Sequence, residues 1–333
     1  LPALLCDHDL DPHDSLQSES DRQFQFPSDD RDSNMPRPDP GDYLPRRARF
    51  MAIGKIGKFS VLATLGAGAH SSILHIRREE DGREYALKVV NIESEAEKKF
   101  LEQAEHEFRV GQMLDHPNLV KVLAYETEKN WLFKIKKAKL LIEFVKGETL
   151  DKVKLMKRHK LLRVFEQVAT GLVHMHRRNV LHADLKPSNI MLGRGSSVKV
   201  LDYGLAWIKG EPKDRVQGTP EYLAPETASH KLVNERTDIF NFGATMYRLV
   251  TFKLPPSVIS DLAGVPMTEK TYKSVYKPVN EIVPTTPAPL CSLIHKCMEF
   301  KANKRPESFV EIQATLSAMA DEAEKGLDPS ELE

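Results

Sequence analysis

The chain has 333 residues, 41% apolar and 29% charged, the composition of an ordinary globular protein with room for one or two domains. Its 48 lysines and arginines balance 48 aspartates and glutamates, which argues against a broad nucleic-acid-binding surface, since that normally shows as a basic excess. Three cysteines (Cys6, Cys291, Cys297) are too few for a disulfide framework or a four-ligand zinc site, and no apolar run reaches the roughly 18 residues of a membrane span.

Residues 1–50 stand apart from the rest. They hold six arginines against eleven carboxylates, a net charge of −5, with seven prolines and only 14 apolar residues. So little apolar surface does not offset the entropy of ordering the segment, and it reads as a disordered acidic leader. Leu1–Leu5 is apolar but is followed at once by Asp7, His8 and Asp9, with no basic n-region, so a secretory signal is not expected. With unpaired cysteines, that makes the cytoplasm the expected location. The chain begins at Leu1, which reads as a fragment or as a true start at Met35 or Met51.

From Gly57 the pattern becomes regular. Residues 59–65 and 72–77 read as strands joined by a glycine turn; Asp81-Gly82 is a hairpin signal, and 84–90 a third strand. Residues 94–114 are charged and amphipathic, hence helical. Two more strands, 120–125 and 139–145, are separated by the lysine-rich stretch 129–139. Beyond Gly147 helices dominate, at 163–178, 234–251, 289–299 and 308–325. A small strand-rich lobe thus precedes a larger helical one.

Three groups of residues carry chemistry. The run Leu65, Gly66, Ala67, Gly68, Ala69, His70, Ser71, Ser72, Ile73 lies between two strands. Its glycines let backbone N–H groups approach phosphate oxygens, although a glycine pair equally makes a plain hairpin. Lys88 follows 22 residues after Gly66 in the strand Tyr85-Ala86-Leu87-Lys88, and Glu107 on the next helix is a partner for it. Separately, these read as an edge-strand lysine and a solvated helix charge.

The third group decides the reading. His182-Ala183-Asp184-Leu185-Lys186-Pro187-Ser188-Asn189 is followed by Asp202-Tyr203-Gly204, by the run from Gly218 to Glu226 (GTPEYLAPE), and by Arg305-Pro306. Phosphoryl transfer needs a carboxylate near the attacking hydroxyl, ligands for the metal on the phosphates, and lysines on the transferred charge. Asp184, the pair Asn189 and Asp202, and the pair Lys186 and Lys88 supply those types in order.

On these motifs the sequence resembles the protein kinase superfamily, specifically the eukaryotic-like serine/threonine kinases also found in bacteria, from about residue 59 to 312. The resemblance implies an α+β, two-lobed fold with a small antiparallel-sheet N-lobe (about 57–145) and a helical C-lobe (about 147–325). Those lobes make a domain over 51–325, and 326–333 is a C-terminal tail. It implies ATP and Mg2+ as cofactors and proteins as substrates; it leaves the oligomeric state open. By the same resemblance Asp184 is the catalytic base, and Asn189 and Asp202 hold the metal. The loop from Gly66 to Ile73 covers the nucleotide, and Lys88 with Glu107 grips its phosphates. Ile142 is the gatekeeper, Glu143, Phe144 and Val145 form the hinge, and Ala86 and Met191 sandwich the base. Glu226 with Arg305 forms a buried ion pair, Asp238 anchors the catalytic loop, and Thr219 contacts the catalytic aspartate.

Four positions depart from the family pattern. Ser71 replaces a third glycine, Tyr203 the commoner phenylalanine, and Ala183 the arginine that usually binds a phosphorylated activation loop. Gly111 leaves no side chain where a larger one often packs against position 203. The loop 205–217 itself contains no serine, threonine or tyrosine, so activity without loop phosphorylation is expected. Two other readings stand beside a protein kinase. One is a kinase-shaped binding module, against which the complete set Lys88, Glu107, Asp184, Asn189 and Asp202 argues. The other is a small-molecule phosphotransferase, against which the run from Gly218 to Glu226 and Arg305 argue.

Overall fold

A computed structural model of the chain describes residues 54–68, 70–154, 156–211, 218–260, 265–325 and 327. The acidic leader, Ala69 of the glycine loop, residues 212–217 of the activation segment and all of the tail but Leu327 lie outside the described residues.

The first lobe is built on one antiparallel sheet. Its strands are β1 (Gly54–Ile56), β2 (Phe59–Ala67), β3 (Ser71–Arg78), β4 (Glu84–Asn91), β5 (Val122–Lys129) and β6 (Ile135–Glu143), in spatial order β1-β2-β3-β4-β6-β5. Between β4 and β5 runs helix α1 (Lys98–Gln112), entered through a single 3-10 turn at Glu95–Glu97. Glu97 folds back to accept the N–H of Glu93 at 2.7 Å, which ties down that entrance. Both faces of the sheet are used. Val61, Ile76, Leu87 and Val89 fill one face. Val90, Ala138 and Leu140 join Ala104 and Val110 of α1 in the larger core on the other.

The lysine-rich stretch is not a separator. β5 runs on to Lys129 and β6 begins at Ile135, so the two strands form one long hairpin. The reason is a period-2 pattern hidden by composition: Ala138 and Leu140 are fully buried, and Lys137 and Lys139 alternate with them on the opposite face.

The second lobe follows as β7 (Gly147–Thr149), α2 (Arg158–His176), β8 (Val180–Leu181), β9 (Ile190–Gly193), β10 (Val198–Val200), β11 (Trp207–Ile208), α3 (Pro225–His230), α4 (Glu235–Thr251), α5 (Glu269–Val275), α6 (Val279–Ile282), α7 (Ala288–Cys297) and α8 (Phe309–Glu324). α2 starts five residues before the sequence pattern suggests. Leu162 continues its buried face with Phe165, Val168, Ala169, Leu172 and Met175, and the basic run 157–160 masks that start. α4 is buried nearly all round, from Thr237 to Tyr247, and forms the lobe's central post. Asn234 caps it by accepting the N–H groups of Arg236 and Thr237, and Thr237 answers through its hydroxyl. Small sheets β10-β9-β7 and β11-β8 carry the loops between the lobes.

Candidate active site

The site is assembled from four segments: β4, α1, the loop after β8 and the turn after β10. On β4, Lys88 pairs in register with Ile73 of β3 and Leu140 of β6, so its backbone is fixed on both sides. Its Nζ donates to Glu107 Oε2 at 2.6 Å and lies 3.6 Å from Asp202 Oδ1. Glu107 is buried on α1. Burial alone works against the Lys88 charge, but the carboxylates of Glu107 and Asp202 outweigh it and hold the ammonium above its ordinary pKa. Crowding by the surrounding protein works against the Asp202 anion, half exposed though its side chain is, yet Lys88 and the Gly204 N–H, at 3.1 Å, keep that carboxyl below its usual range.

The loop after β8 is held from below by Asp238 on α4. The Asp238 carboxylate, fully buried, accepts the backbone N–H groups of His182 and Ala183, each at 2.8 Å, and meets His176 Nε2 at 2.8 Å. Those bonds hold Ala183 at φ +62°, a left-handed conformation that costs a non-glycine residue about 1–2 kcal/mol. The next residue, Asp184, is thereby turned into the cleft. Its carboxylate receives Lys186 Nζ at 2.8 Å and both the N–H and hydroxyl of Thr219 at 3.0 Å. Lys186 also donates to the Thr219 hydroxyl, at 2.6 Å. Asn189 donates through Nδ2 to the Asp184 carbonyl at 2.9 Å, which leaves its Oδ1 as the acceptor end.

Asp202 sits at φ +62°, and its side chain is half exposed toward the cleft. The following Tyr203 is fully buried, with its hydroxyl donating to the Val120 carbonyl at 2.9 Å; the tyrosine at this position therefore has its polar end satisfied. Gly111 does not open a gap beside it. A Cβ there would lie 2.5 Å from Val122 Cβ, so the missing side chain is what lets β5 approach α1.

The glycine hairpin joins β2 and β3, with Gly66 opposite Ile73, Ala67 opposite Ser72, and a closing bond from Gly68 N to Ser71 O at 2.7 Å. Leu65 is exposed on β2. The His70 ring turns to α1, where it stacks on Phe100 at a centroid distance of 4.4 Å. At the junction of the lobes, Ala86 pairs with Ile142 across β4 and β6. Glu143 donates its N–H to the Lys121 carbonyl and accepts Lys199 Nζ at 2.9 Å, while Phe144 stacks on His75 at 3.8 Å. Val145 is half-buried against the main core, and Met191 lies on β9 between Thr149 and Lys199.

Further down, Arg305 is buried and grips both oxygens of Glu226, at 2.8 and 2.9 Å. Sequence reasoning missed two supports. His176, which holds Asp238, looks like an ordinary helix-end histidine. Arg109 of α1 donates twice, at 2.8 Å each, to Glu211, and the imidazole of His106 bridges Arg109 and the Ala206 carbonyl. Neither contact has a local signal, because the partners lie 62 and about 100 residues away.

Lys88, Lys186, Asp184 and Asp202 thus gather at one site, with the third carboxylate, Glu107, committed to Lys88, an arrangement that suits a polyanion carrying a hard divalent ion. Asp202 and Asn189 offer two oxygen ligands, few enough for an ion that keeps waters and substrate phosphates in its shell. The family model described as "Protein kinase domain" matches residues 59–316, and the chain belongs to that family. It is 30% identical over 278 residues to the serine/threonine-protein kinase pkn2 of Myxococcus xanthus, covering 79% of this chain and 32% of that protein. It is 29% identical over 275 residues to a probable serine/threonine-protein kinase of Streptomyces coelicolor, covering 78% and 40%. With the serine/threonine-protein kinase PrkC of Bacillus subtilis it shares 26% identity over 215 residues, 62% of this chain and 32% of that one. The chain therefore spans about a third of the length of these curated relatives.

Proposed function

We propose that this chain transfers the γ-phosphate of ATP to serine or threonine hydroxyls of proteins. One observation carries the reading: the Asp184 carboxylate is held by Lys186 and Thr219 beside Asn189, with a complete Lys88–Glu107–Asp202 set opposite. In this reading Asp184 orients the acceptor hydroxyl and takes its proton. Lys186 neutralises charge on the phosphoryl group in flight, and Lys88, kept charged by Glu107, anchors the other phosphates. Asn189 and Asp202 would hold magnesium, which when bound would supply charge neutralisation on the phosphate oxygens. The residues from Leu65 to Ile73 cover the nucleotide, Ala86 and Met191 pack on adenine, and the Glu143 carbonyl and Val145 N–H bond its edge. Since the Glu143 N–H is already committed to Lys121, the donor role falls to Val145.

The intact ionic set favours an enzyme over a binding module. The bidentate Arg305–Glu226 pair, buried under the 220–226 segment, favours a protein acceptor over a small molecule. We also read residues 51–325 as the kinase domain, with 1–50 and 326–333 as appendages. The cytoplasm is the proposed location, supported by the unpaired thiols of Cys291 and Cys297; among the described residues no helix is long and apolar enough to cross a membrane. The neutral net charge supports partners other than nucleic acid.

Activity independent of loop phosphorylation belongs to the same reading. Ala183 offers no guanidinium to a phosphate, while Arg109 already has a carboxylate partner in Glu211. The test is purified protein with labelled ATP and magnesium, offered protein and small-molecule acceptors side by side. Phosphoserine or phosphothreonine on protein supports the proposal. Phosphotyrosine, a labelled small molecule, or ATP binding without turnover overturns it.

A further inference from the structure

The β5–β6 hairpin ends in a feature that the phosphoryl-transfer site does not use. Asn130 closes its tip: its N–H donates to the Lys134 carbonyl at 2.9 Å, and its Oδ1 accepts the N–H groups of Leu132 and Lys134 at 3.0 and 2.9 Å. Its carbonyl accepts from Phe133 N at 2.9 Å, with Phe133 at φ +59°. This closed turn directs three apolar side chains outward, with Trp131 84%, Phe133 83% and Leu132 50% exposed. Among the described large apolar residues, the two aromatic rings stand apart, since the next most exposed after them is Leu254 at 58%. Two aromatic rings held outward by a hydrogen-bonded turn are a built feature rather than a frayed end.

Around the tip stands a collar of lysines. Lys129, Lys134, Lys136 and Lys137 are exposed. Lys137 and Lys139 share Glu128, whereas Lys129, Lys134 and Lys136 form no ion pair among the described residues. Because strand side chains alternate, Lys136 lies on one face of β6 and Lys137 on the other, so positive charge flanks the apolar tip on both faces, with Glu95 near Lys134 as a carboxylate beside it. Rings more than four-fifths exposed protrude and form no groove, so an acidic peptide finds no wall to lie against. A second copy of this chain would bring like charges together. A soft anionic layer accepts a protruding apolar tip and satisfies the lysines at once.

We propose that this hairpin docks the protein peripherally on an anionic lipid bilayer. Trp131, Leu132 and Phe133 enter the boundary between headgroups and acyl chains, and Lys129, Lys134, Lys136 and Lys137 meet the lipid phosphates. The inference is independent of the kinase reading, because its test reads partitioning and not phosphoryl transfer.

The experiment is co-sedimentation of the full chain with vesicles of phosphatidylcholine alone and of phosphatidylcholine mixed with phosphatidylserine. Binding is expected only to the mixed vesicles and falls as salt rises. Each lysine near such a surface is worth about fivefold in partitioning, so Lys134→Gln with Lys136→Gln lowers binding about 30-fold. Trp131→Ser with Phe133→Ser lowers it about tenfold or more. Thermal melting should be unchanged in both variants, since these side chains touch solvent. Tryptophan emission shifts to the blue on mixed vesicles, and Trp131→Ser abolishes the shift. Absent vesicle binding by the wild type, or undiminished binding by both variants, overturns the proposal. So does wild-type protein that ignores vesicles but captures an RNA oligomer or a polyglutamate peptide.

Discussion

Arg109 and Glu211, 102 residues apart, form two parallel hydrogen bonds of 2.8 Å. Arg109 stands two residues after Glu107 on α1, and Glu211 lies beyond β11, so the pair ties the helix that positions Lys88 to the segment following Asp202. His106 adds a second tie through the Ala206 carbonyl at 2.7 Å. The ion pair is substantially exposed, so it contributes about 0–1 kcal/mol and biases the helix position rather than dictating it. Glu211→Gln should therefore lower kcat by up to about fivefold and leave the melting temperature nearly unchanged. Exchanging the charges, Arg109→Glu with Glu211→Arg, should restore part of the loss. An unchanged kcat in Glu211→Gln removes the tie from the account.

Phosphatase treatment gives a sharper contrast. Thr219 is the first hydroxyl-bearing residue after Tyr203, and its Oγ1 lies 3.0 Å from Asp184 and 2.6 Å from Lys186. A phosphate there would set a charge of about −2 against the Asp184 carboxylate. Phosphorylation at Thr219 is thus expected to inhibit. Initial rates of treated and untreated protein should agree or rise with treatment. A large loss traced by mass spectrometry to Thr219 would defeat phosphorylation-independent activity.

Within the cleft, Asp184→Asn and Asp202→Asn should fail for different reasons. Asp184→Asn keeps nucleotide affinity and lowers turnover about 10²-fold or more, the usual worth of a positioned general base. In the proposed reading Asp202 is an anionic magnesium ligand, so raised magnesium should recover part of the activity of Asp202→Asn. Acceptor analysis of the wild type should find phosphoserine and phosphothreonine, with Ser15, Ser18, Ser20, Ser28 and Ser33 as candidate autophosphorylation sites. Near wild-type rates in both variants would remove Asp184 and Asp202 from the chemistry.

The cluster that the structure brings together is legible in the sequence because its members lie in short runs: Asp184, Lys186 and Asn189 fall within six residues, and Asp202 opens the next turn. Most first-lobe strands and the five longer helices show in the periodicity for the same local reason, whereas the order of the strands in the sheet does not. What stayed hidden depends on chain segments meeting at a distance. His176 holding Asp238 and Arg109 meeting Glu211 leave no spacing to read. The 129–139 stretch was misread because five lysines mask the alternation that buries Ala138 and Leu140. Gly111 was read by what its absent side chain leaves empty near Tyr203, whereas the structure fills that space with Val122.

That close approach can be tested directly. In a helix interior, Gly→Ala ordinarily stabilises by about 1 kcal/mol. At position 111 a Cβ would lie 2.5 Å from Val122 Cβ and 2.6 Å from its Cγ2, well inside contact distance. Overpacking of this kind costs about 1–3 kcal/mol, so Gly111→Ala should be destabilising on balance. One turn earlier Glu107 reaches Lys88, so a displaced α1 should also weaken ATP binding. Chemical denaturation and a nucleotide titration read the two effects. A more stable Gly111→Ala protein would mean that α1 and β5 separate at little cost.

Acid stability isolates the support under the loop after β8. Burial alone would favour neutral Asp238, but the hydrogen bond and charge of His176, the charge of His182 and the Ala183 N–H outweigh it and hold the carboxyl below its ordinary pKa. A folded-state value below the unfolded one contributes stability that is fully present above the unfolded value, about pH 4, and is lost as pH falls through the folded value. Asp238→Asn lacks this titration: its neutral amide oxygen accepts from only one of the two backbone N–H groups, and the other is left facing an NH2 donor. At neutral pH it should cost about 1.5–3 kcal/mol, the worth of a hydrogen bond to a charged group. Below about pH 4 the gap between wild type and variant should narrow, because the wild type loses what the variant never had. Urea unfolding at pH 7, 5 and 3 measures both, and a gap that stays constant down to the lowest pH would show that Asp238 does not carry the acid sensitivity of this lobe.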